Sequence, residues 1–263
     1  MNFLRREWRA LACAMQFLTR IPVATKSMFD NRDYANSLAW YPAVGGVLGG
    51  VLGALVWLCG VTLSDLPSPS LAAALVLAVW VLLTGALHLD GVADCADAWV
   101  GGFGDREKTF QILKDPRSGP IAVVILVLML LVKWAALTVL LSSQYWSIIG
   151  LIPLLARGAM PYIFWRLDYA SASGLGSALV EGLSPRRIVI SLFFVVAIAG
   201  FVLVSRLEIL LLFSAVAAII YLLWKRASYQ RLGGFNGDCA GALVEFVELG
   251  LLLALAIYSG YNL

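Results

Sequence analysis

The sequence predicts an all-α protein: a polytopic membrane helical bundle of about seven transmembrane helices, preceded by an N-terminal interfacial helix. Three observations carry this expectation. Of the 263 residues, 61% are hydrophobic and 13% charged, with a mean hydropathy of +0.89; a soluble domain carries roughly 25% charged and about 45–50% apolar residues. The apolar residues fall into runs of about 20, the length that crosses a bilayer as a helix. The basic residues, finally, cluster between alternate runs. Four cysteines (Cys13, Cys59, Cys95, Cys239) are scattered without paired spacing, which argues against a zinc site or a disulfide framework. Residues 1–263 read as one integral membrane domain.

Residues 3–21 open with Arg5, Arg6 and Arg9 and continue into a short apolar run that ends at "TRIP". No cleavage site follows, so a retained amphipathic interfacial helix is expected rather than a signal peptide. The first turns of an ordinary transmembrane helix are the alternative. The expected spans are 38–62, 69–89, 119–141, 146–165, 188–205, 207–224 and 240–259, each bounded by turn residues or charge. In the first, "GGVLGGVLG" sets Gly45, Gly49 and Gly53 at four-residue spacing, with Gly46 and Gly50 beside them. Small residues so spaced admit a close helix neighbour, from this chain or from a second copy. Only "SRLE" separates the fifth and sixth spans, so one broken or re-entrant element is an alternative there.

With the N-terminus inside, segments 1–37, 90–118, 166–187 and 225–239 hold 16 of the 19 basic residues. The outer segments hold only Arg206, and Lys133 and Arg157 fall within spans. The positive-inside rule therefore places the N-terminus in the cytoplasm and the C-terminus outside. Membrane lipid is the expected surrounding, and no nucleic-acid partner is expected.

At the end of the second span, "HLDGVADCADAW" (88–99) gathers three aspartates and the only histidine. A helix advances about 100° per residue, so Asp90, Asp94 and Asp97 fall within roughly 60° of one face. Three such carboxylates repel one another unless a cation sits among them, and magnesium, a hard ion bound by a few carboxylates with water and phosphates, suits them. A solvated loop at the membrane surface accounts equally well for the spacing.

Farther on, "KDPRSGP" (114–120) sets Asp115 between Lys114 and Arg117, and "RLGGFNGDCAGALVE" places Asp238 seven residues before Glu245 on one helical face. Arg157 lies within a span, where a charge needs an anionic partner or a polar cavity. Acidic groups able to hold metal and basic groups able to hold phosphate thus converge on one side, which suits phosphoryl or nucleotidyl chemistry. Blander roles remain for several neighbours. His88 suits an interfacial hydrogen bond as well as ligation or base catalysis. Cys95 and Cys239 suit helix packing, and Trp99 suits packing as well as stacking on a flat ligand. Lys133 suits snorkelling or an internal pair. Glu245 could equally pair with Lys133 or Arg157 and stabilise the bundle.

Taken in order, "FLTRIPV", "HLDGVADCADAW", "KDPRSG", the "AR" at 156–157, "GLG" at 174–176 and "GGFNGDCAGALVE" resemble the cobalamin synthase family, the adenosylcobinamide-GDP ribazoletransferases. The resemblance spans essentially the whole chain; its two acidic motifs are specific in combination, whereas "GLG" alone is not. Departures are Cys95 where threonine or another small residue is common, Ala98 for glycine, Pro116 for serine, and "PIAVV" after Gly119 in place of a glycine-rich continuation. These leave the aspartates intact and touch mainly the local backbone.

The resemblance implies a multi-pass protein of the bacterial cytoplasmic (inner) membrane with its active site facing the cytoplasm. It implies the joining of adenosylcobinamide-GDP and α-ribazole, or α-ribazole 5′-phosphate, to give adenosylcobalamin, or its 5′-phosphate, and GMP. With it, Mg2+ is expected on Asp90, Asp94, Asp97 and Asp115; one of Asp97, Asp238 or Glu245 is expected to take the hydroxyl proton; and Lys114, Arg117 and Arg157 are expected to bind phosphate. A homo-oligomer or an association with other cobalamin-assembly enzymes is compatible with this. The nearest alternative is a CDP-alcohol phosphatidyltransferase-like enzyme, whose signature the motif resembles without its arginine or its spacing. A cation transporter is disfavoured because these acids cluster at one edge and not at the midplane. A membrane scaffold for a biosynthetic complex would leave the carboxylate spacing without a cause.

Overall fold

The computed structural model describes residues 3–25, 28–62, 68–170 and 175–261. They form twelve α-helices, with no strand among the described residues beyond an isolated bridge between Tyr169 and Phe235. Among the described residues, six helical stretches are long and apolar enough to cross a membrane, and a bent pair makes a seventh if counted as one span.

α1 (Phe3–Leu18) turns Ala10, Cys13, Ala14 and Leu18 inward and leaves Phe3, Leu4 and Trp8 exposed beside its arginines, as suits a membrane interface. Two ion pairs tie it down. Arg9 binds Asp33 of α2 (Asn31–Ser37), and Glu7 accepts both Nη groups of Arg187 at 2.7 Å, from the start of α10 (Pro185–Val202). α2 begins with a reciprocal capping box between Asp30 and Asp33 and runs through a 3-10 turn into α3 (Tyr41–Thr62).

α3 packs on α8 (Ile152–Arg166) and on the 3-10 turn before it (Trp146–Leu151), so the neighbour that the glycine run admits belongs to this chain. A Cβ on Gly49 would lie 1.8 Å from the Gly150 carbonyl oxygen, and one on Gly45 2.3 Å from that of Pro153, whereas Gly50 and Gly53 face open space. Gly49→Ala should therefore lower the thermal midpoint of the detergent-solubilised protein, because two backbones must separate. Gly50→Ala should leave it unchanged or raise it, since alanine gains about 1 kcal/mol over glycine in a helix. Equal midpoints for the two variants would contradict this packing.

The expected span 69–89 is not one straight helix. α4 (Pro69–Thr84) starts on a Ser68 cap followed by proline at its first position, and stops at Gly85 and Ala86, both left-handed at φ 60° and 58°. Two consecutive residues in that region cannot continue a right-handed helix, and α5 (Leu87–Gly101) leaves at 87° to α4. His88 and all three aspartates thus lie on a separate limb that packs against α7 (Pro120–Leu141) and α12 (Gly237–Tyr261). α10 and α11 (Leu207–Leu232) are two distinct helices, as the seven-span count expects.

The stretch Trp146–Arg166, made of α8 and the 3-10 turn before it, and α12 form the centre: 72% and 67% of their most apolar parts are buried, against 11% for α11. The outward faces of α7, α10 and α11 are apolar, with Val127, Phe193, Phe201, Leu211 and Leu222 exposed. That inversion of the soluble pattern matches a bundle solvated by lipid.

Candidate active site

Two turns set this site. Gly233 closes α11 in the left-handed conformation at φ 76°, and the chain then pairs with the strand-like segment 168–170. Phe235 N–H donates to Asp168 and Ala170 N–H donates to Phe235, at 3.0 and 2.8 Å. Gly234 is required there, since a Cβ would meet the Asp168 carbonyl oxygen at 2.3 Å. Asn236 then caps α12, its Oδ1 accepting from Cys239 N–H at 2.9 Å while its Nδ2 donates to Asp238 Oδ2 at 2.7 Å. The asparagine both starts the helix and orients the aspartate.

α5 crosses α12 at this point. A Cβ on Gly91 would sit 2.6 Å from the Asp238 carbonyl oxygen and 3.2 Å from its Cα, and Cys95 and Cys239 touch at 3.8 Å. Gly91 and Asp94 are neighbours on one helix face, which places the Asp94 and Asp238 backbones within about 10 Å. Asp90 and Asp238 both line a cleft of about 270 Å³, whose wall includes His88, Tyr169, Asn236 and Gly176. Gly174, the first residue of "GLG", lies outside the described residues. Asp94, a turn beyond Asp90, is within electrostatic reach of Asp238, Asp90 and Asp97.

The other expected site residues are placed differently. Asp97 caps α7: its two oxygens accept from the backbone N–H groups of Gly119 and, at 3.0 Å, Ala122. Gly119 occupies the N-cap position and has no side chain to do this, so α5 supplies the acceptor at the positive helix end. Asp115 is paired within its own loop, where Arg117 donates to both oxygens at 2.9 and 2.8 Å and holds the Asp115 carboxyl down at about 2. Lys114 and Arg117 are exposed on that loop, outside the cleft lining.

Glu245 lies two turns into α12 and is buried against Lys133 of α7. Lys133 also binds Glu248 at 2.7 Å, and Glu248 binds Arg157 of α8, a side chain with no exposure. Arg157 thus stands behind the cleft, where it is occupied by Glu248 and by His88 Nδ1 at 3.3 Å. The network holds two cations and two anions, a neutral set where unpaired charge is expensive. Glu248 is not part of the motifs read from the sequence, although the signal is there: it stands three residues after Glu245, and a second acid in an apolar span needs a partner. Trp99 is stacked on Trp224 at 4.4 Å, and the Arg231 guanidinium carbon lies over its ring at 4.6 Å, so the ring is engaged in packing.

Among the described residues, no three histidine, cysteine, aspartate or glutamate side chains form a preassembled metal cage. Magnesium needs no such cage: one or two carboxylates suffice, with water and substrate phosphates completing the octahedron. The hard oxygen donors of Asp90, Asp94 and Asp238 fit that requirement.

Comparison with known proteins finds relatives along nearly the whole chain. The family model described as cobalamin-5-phosphate synthase matches residues 10–256. An adenosylcobinamide-GDP ribazoletransferase of Stutzerimonas stutzeri is 48% identical over 250 residues, covering 95% of this chain and 98% of that protein. One from Pseudomonas aeruginosa is 45% identical over 257 residues, covering 97% and 100%. No solved structure matches. A family model spanning nearly the whole chain, with relatives matched end to end, establishes that the chain belongs to the cobalamin-5-phosphate synthase family.

Proposed function

We propose that this protein is a magnesium-dependent transferase that joins adenosylcobinamide-GDP to α-ribazole or α-ribazole 5′-phosphate, releasing GMP. The observation that carries the reading is the meeting of two motifs about 150 residues apart, with Asp90 and Asp238 facing one cleft, in a chain whose full-length relatives bear that enzyme's name. The cleft, at about 270 Å³, is smaller than the roughly 300–1,000 Å³ of pockets that enclose drug-sized ligands. It suits the diphosphate, with the corrinoid ring and the guanosine outside it.

A ribose hydroxyl oxygen of α-ribazole bonds to the phosphorus on the cobinamide arm as the bond from that phosphorus to the bridging oxygen breaks. The bridging oxygen departs with GMP. Asp238 takes the hydroxyl proton: of the three carboxylates considered for this role, it alone lines the cleft, since Asp97 caps α7 and Glu245 is engaged with Lys133. Asp90 and Asp94 hold the magnesium ion, which when bound neutralises diphosphate charge and eases departure of the leaving group. Lys114 and Arg117, exposed on their loop outside the cleft, would meet the 5′-phosphate of α-ribazole 5′-phosphate, and the Asp115–Arg117 pair keeps that loop's guanidinium in place.

GMP release from purified full-length protein supplied with adenosylcobinamide-GDP, α-ribazole and magnesium tests the assignment. Absence of GMP and of a cobalamin product with every component present would end it. The proposed orientation puts the cleft on the cytoplasmic side of the inner membrane, following the basic-residue bias. Cysteines introduced at the exposed positions Glu107 and Ser205 should then label differently in sealed cells, with only the second open to an impermeant reagent. The reverse pattern would invert the topology.

A further inference from the structure

His88 is the only histidine of the chain, and it is 1% exposed. It nonetheless belongs to the wall of the cleft that Asp90 and Asp238 share. Its two ring nitrogens have unequal surroundings. Nδ1 faces Arg157 Nη2 at 3.3 Å, while Nε2 is buried and has no hydrogen-bond partner among the described residues. On that side the ring passes Gly241, another cleft residue: a Cβ there would lie 3.6 Å from His88 Cδ2, the carbon bonded to Nε2.

A guanidinium has five N–H donors and no acceptor. Nδ1 must therefore accept from Arg157, and in the neutral ring the proton resides on Nε2. Arg157 is in turn held by Glu248, and Glu248 by Lys133. The buried network thus does more than neutralise itself, because its last member sets a tautomer at the cleft wall. A buried donor without a partner is costly in a folded protein, and such a group at a ligand cleft acquires its purpose when a ligand supplies the acceptor. The charged side chains of the cleft lining are the carboxylates of Asp90 and Asp238, which repel a diphosphate, so a fixed uncharged donor is a complementary element beside them.

We infer that His88 is a substrate-binding residue that donates from Nε2–H to a phosphoryl oxygen in the cleft. Arg157 and Glu248 are the positioning residues that hold its tautomer. The inference rests on the reading that the cleft receives the diphosphate.

The single histidine makes a direct test possible. In protein purified through a tag that contains no histidine, histidine labelled with 15N at its two ring positions yields only the Nδ1 and Nε2 signals of His88 in a nitrogen spectrum. A protonated Nε2 and an unprotonated Nδ1 are expected, with GDP and magnesium chloride shifting Nε2. Arg157→Gln should give a mixture of tautomers, because an amide can donate or accept. His88→Leu should lower GMP release about 100-fold or more, as when one fixed donor to a developing oxyanion is removed. His88→Gln, whose amide nitrogen reaches toward the Nε2 position, should retain activity to within about tenfold of wild type on the same scale. A proton on Nδ1, a doubly protonated ring, an Nε2 signal indifferent to GDP, or a His88→Leu variant as active as wild type would each overturn the proposal. If the wild type releases no GMP, the ribazoletransferase reading fails, yet the spectrum and its response to GDP still decide the role of His88.

Discussion

Asp238→Asn is expected to lower GMP release about 100-fold or more, the range over which a positioned general base contributes, with the thermal midpoint little changed. The side chain sits at the polar cleft, so losing its charge removes no buried partner other than the Asn236 amide at 2.7 Å, which the new amide oxygen can still satisfy. Asp90→Asn, by contrast, should raise the magnesium concentration needed for half-maximal rate. Asp97→Ala should act on stability instead, by about 1 kcal/mol, the usual effect of removing a helix cap. Steady-state rates across magnesium concentrations, with melting curves on the same samples, separate the three. Near-normal turnover in Asp238→Asn would remove Asp238 from the chemistry. An Asp97→Ala variant inactive at an unaltered midpoint would return Asp97 to it.

The largest stability change is expected at Lys133. Lys133→Met leaves Glu245 and Glu248 facing one remaining cation, Arg157, all of them buried. Removing one partner of a buried ion pair costs about 3–5 kcal/mol, so most of the protein should fail to accumulate folded or should melt far below wild type. Adding Glu245→Gln restores charge balance, leaving the Arg157–Glu248 pair intact, and should recover much of the loss. Such coupling is expected for residues in direct contact. The double variant also tests catalysis, because a folded protein that still releases GMP excludes Glu245 as proton acceptor. A Lys133→Met variant as stable as wild type would show that the network does not hold the bundle together.

Much of this architecture is legible in the sequence. Apolar runs of span length bounded by charge predict α3, α7, α10 and α12 within a few residues, because length and composition are properties of consecutive residues and lipid imposes helix on them. One end of each of the other two differs: α8 begins only at Ile152, after a 3-10 turn, and α11 runs on past residue 224 to Leu232. The 3.6-residue period placed Asp90, Asp94 and Asp97 on one face of what is indeed a helix, α5. The bend before α5 was not legible. Gly85 permits a left-handed turn, but Ala86 beside it adopts one too, and nothing in an alanine announces that.

The roles of individual charges divide in the same way. The sequence by itself determined that this is a helical membrane protein of one family, that its acids gather at motif edges, and that Arg157 and Lys133 need partners inside the bundle. Only the tertiary structure decided which partners those are. Asp97 serves α7 because Gly119, 22 residues on, cannot cap its own helix. Glu245 faces Lys133, 112 residues away, and not the cleft. His88 meets Arg157 across 69 residues of chain. Helical periodicity tells which face a residue occupies, while the neighbour that face meets depends on how helices cross, and here the crossings of α5, α7, α8 and α12 sort the buried charges into a structural network and an open cleft.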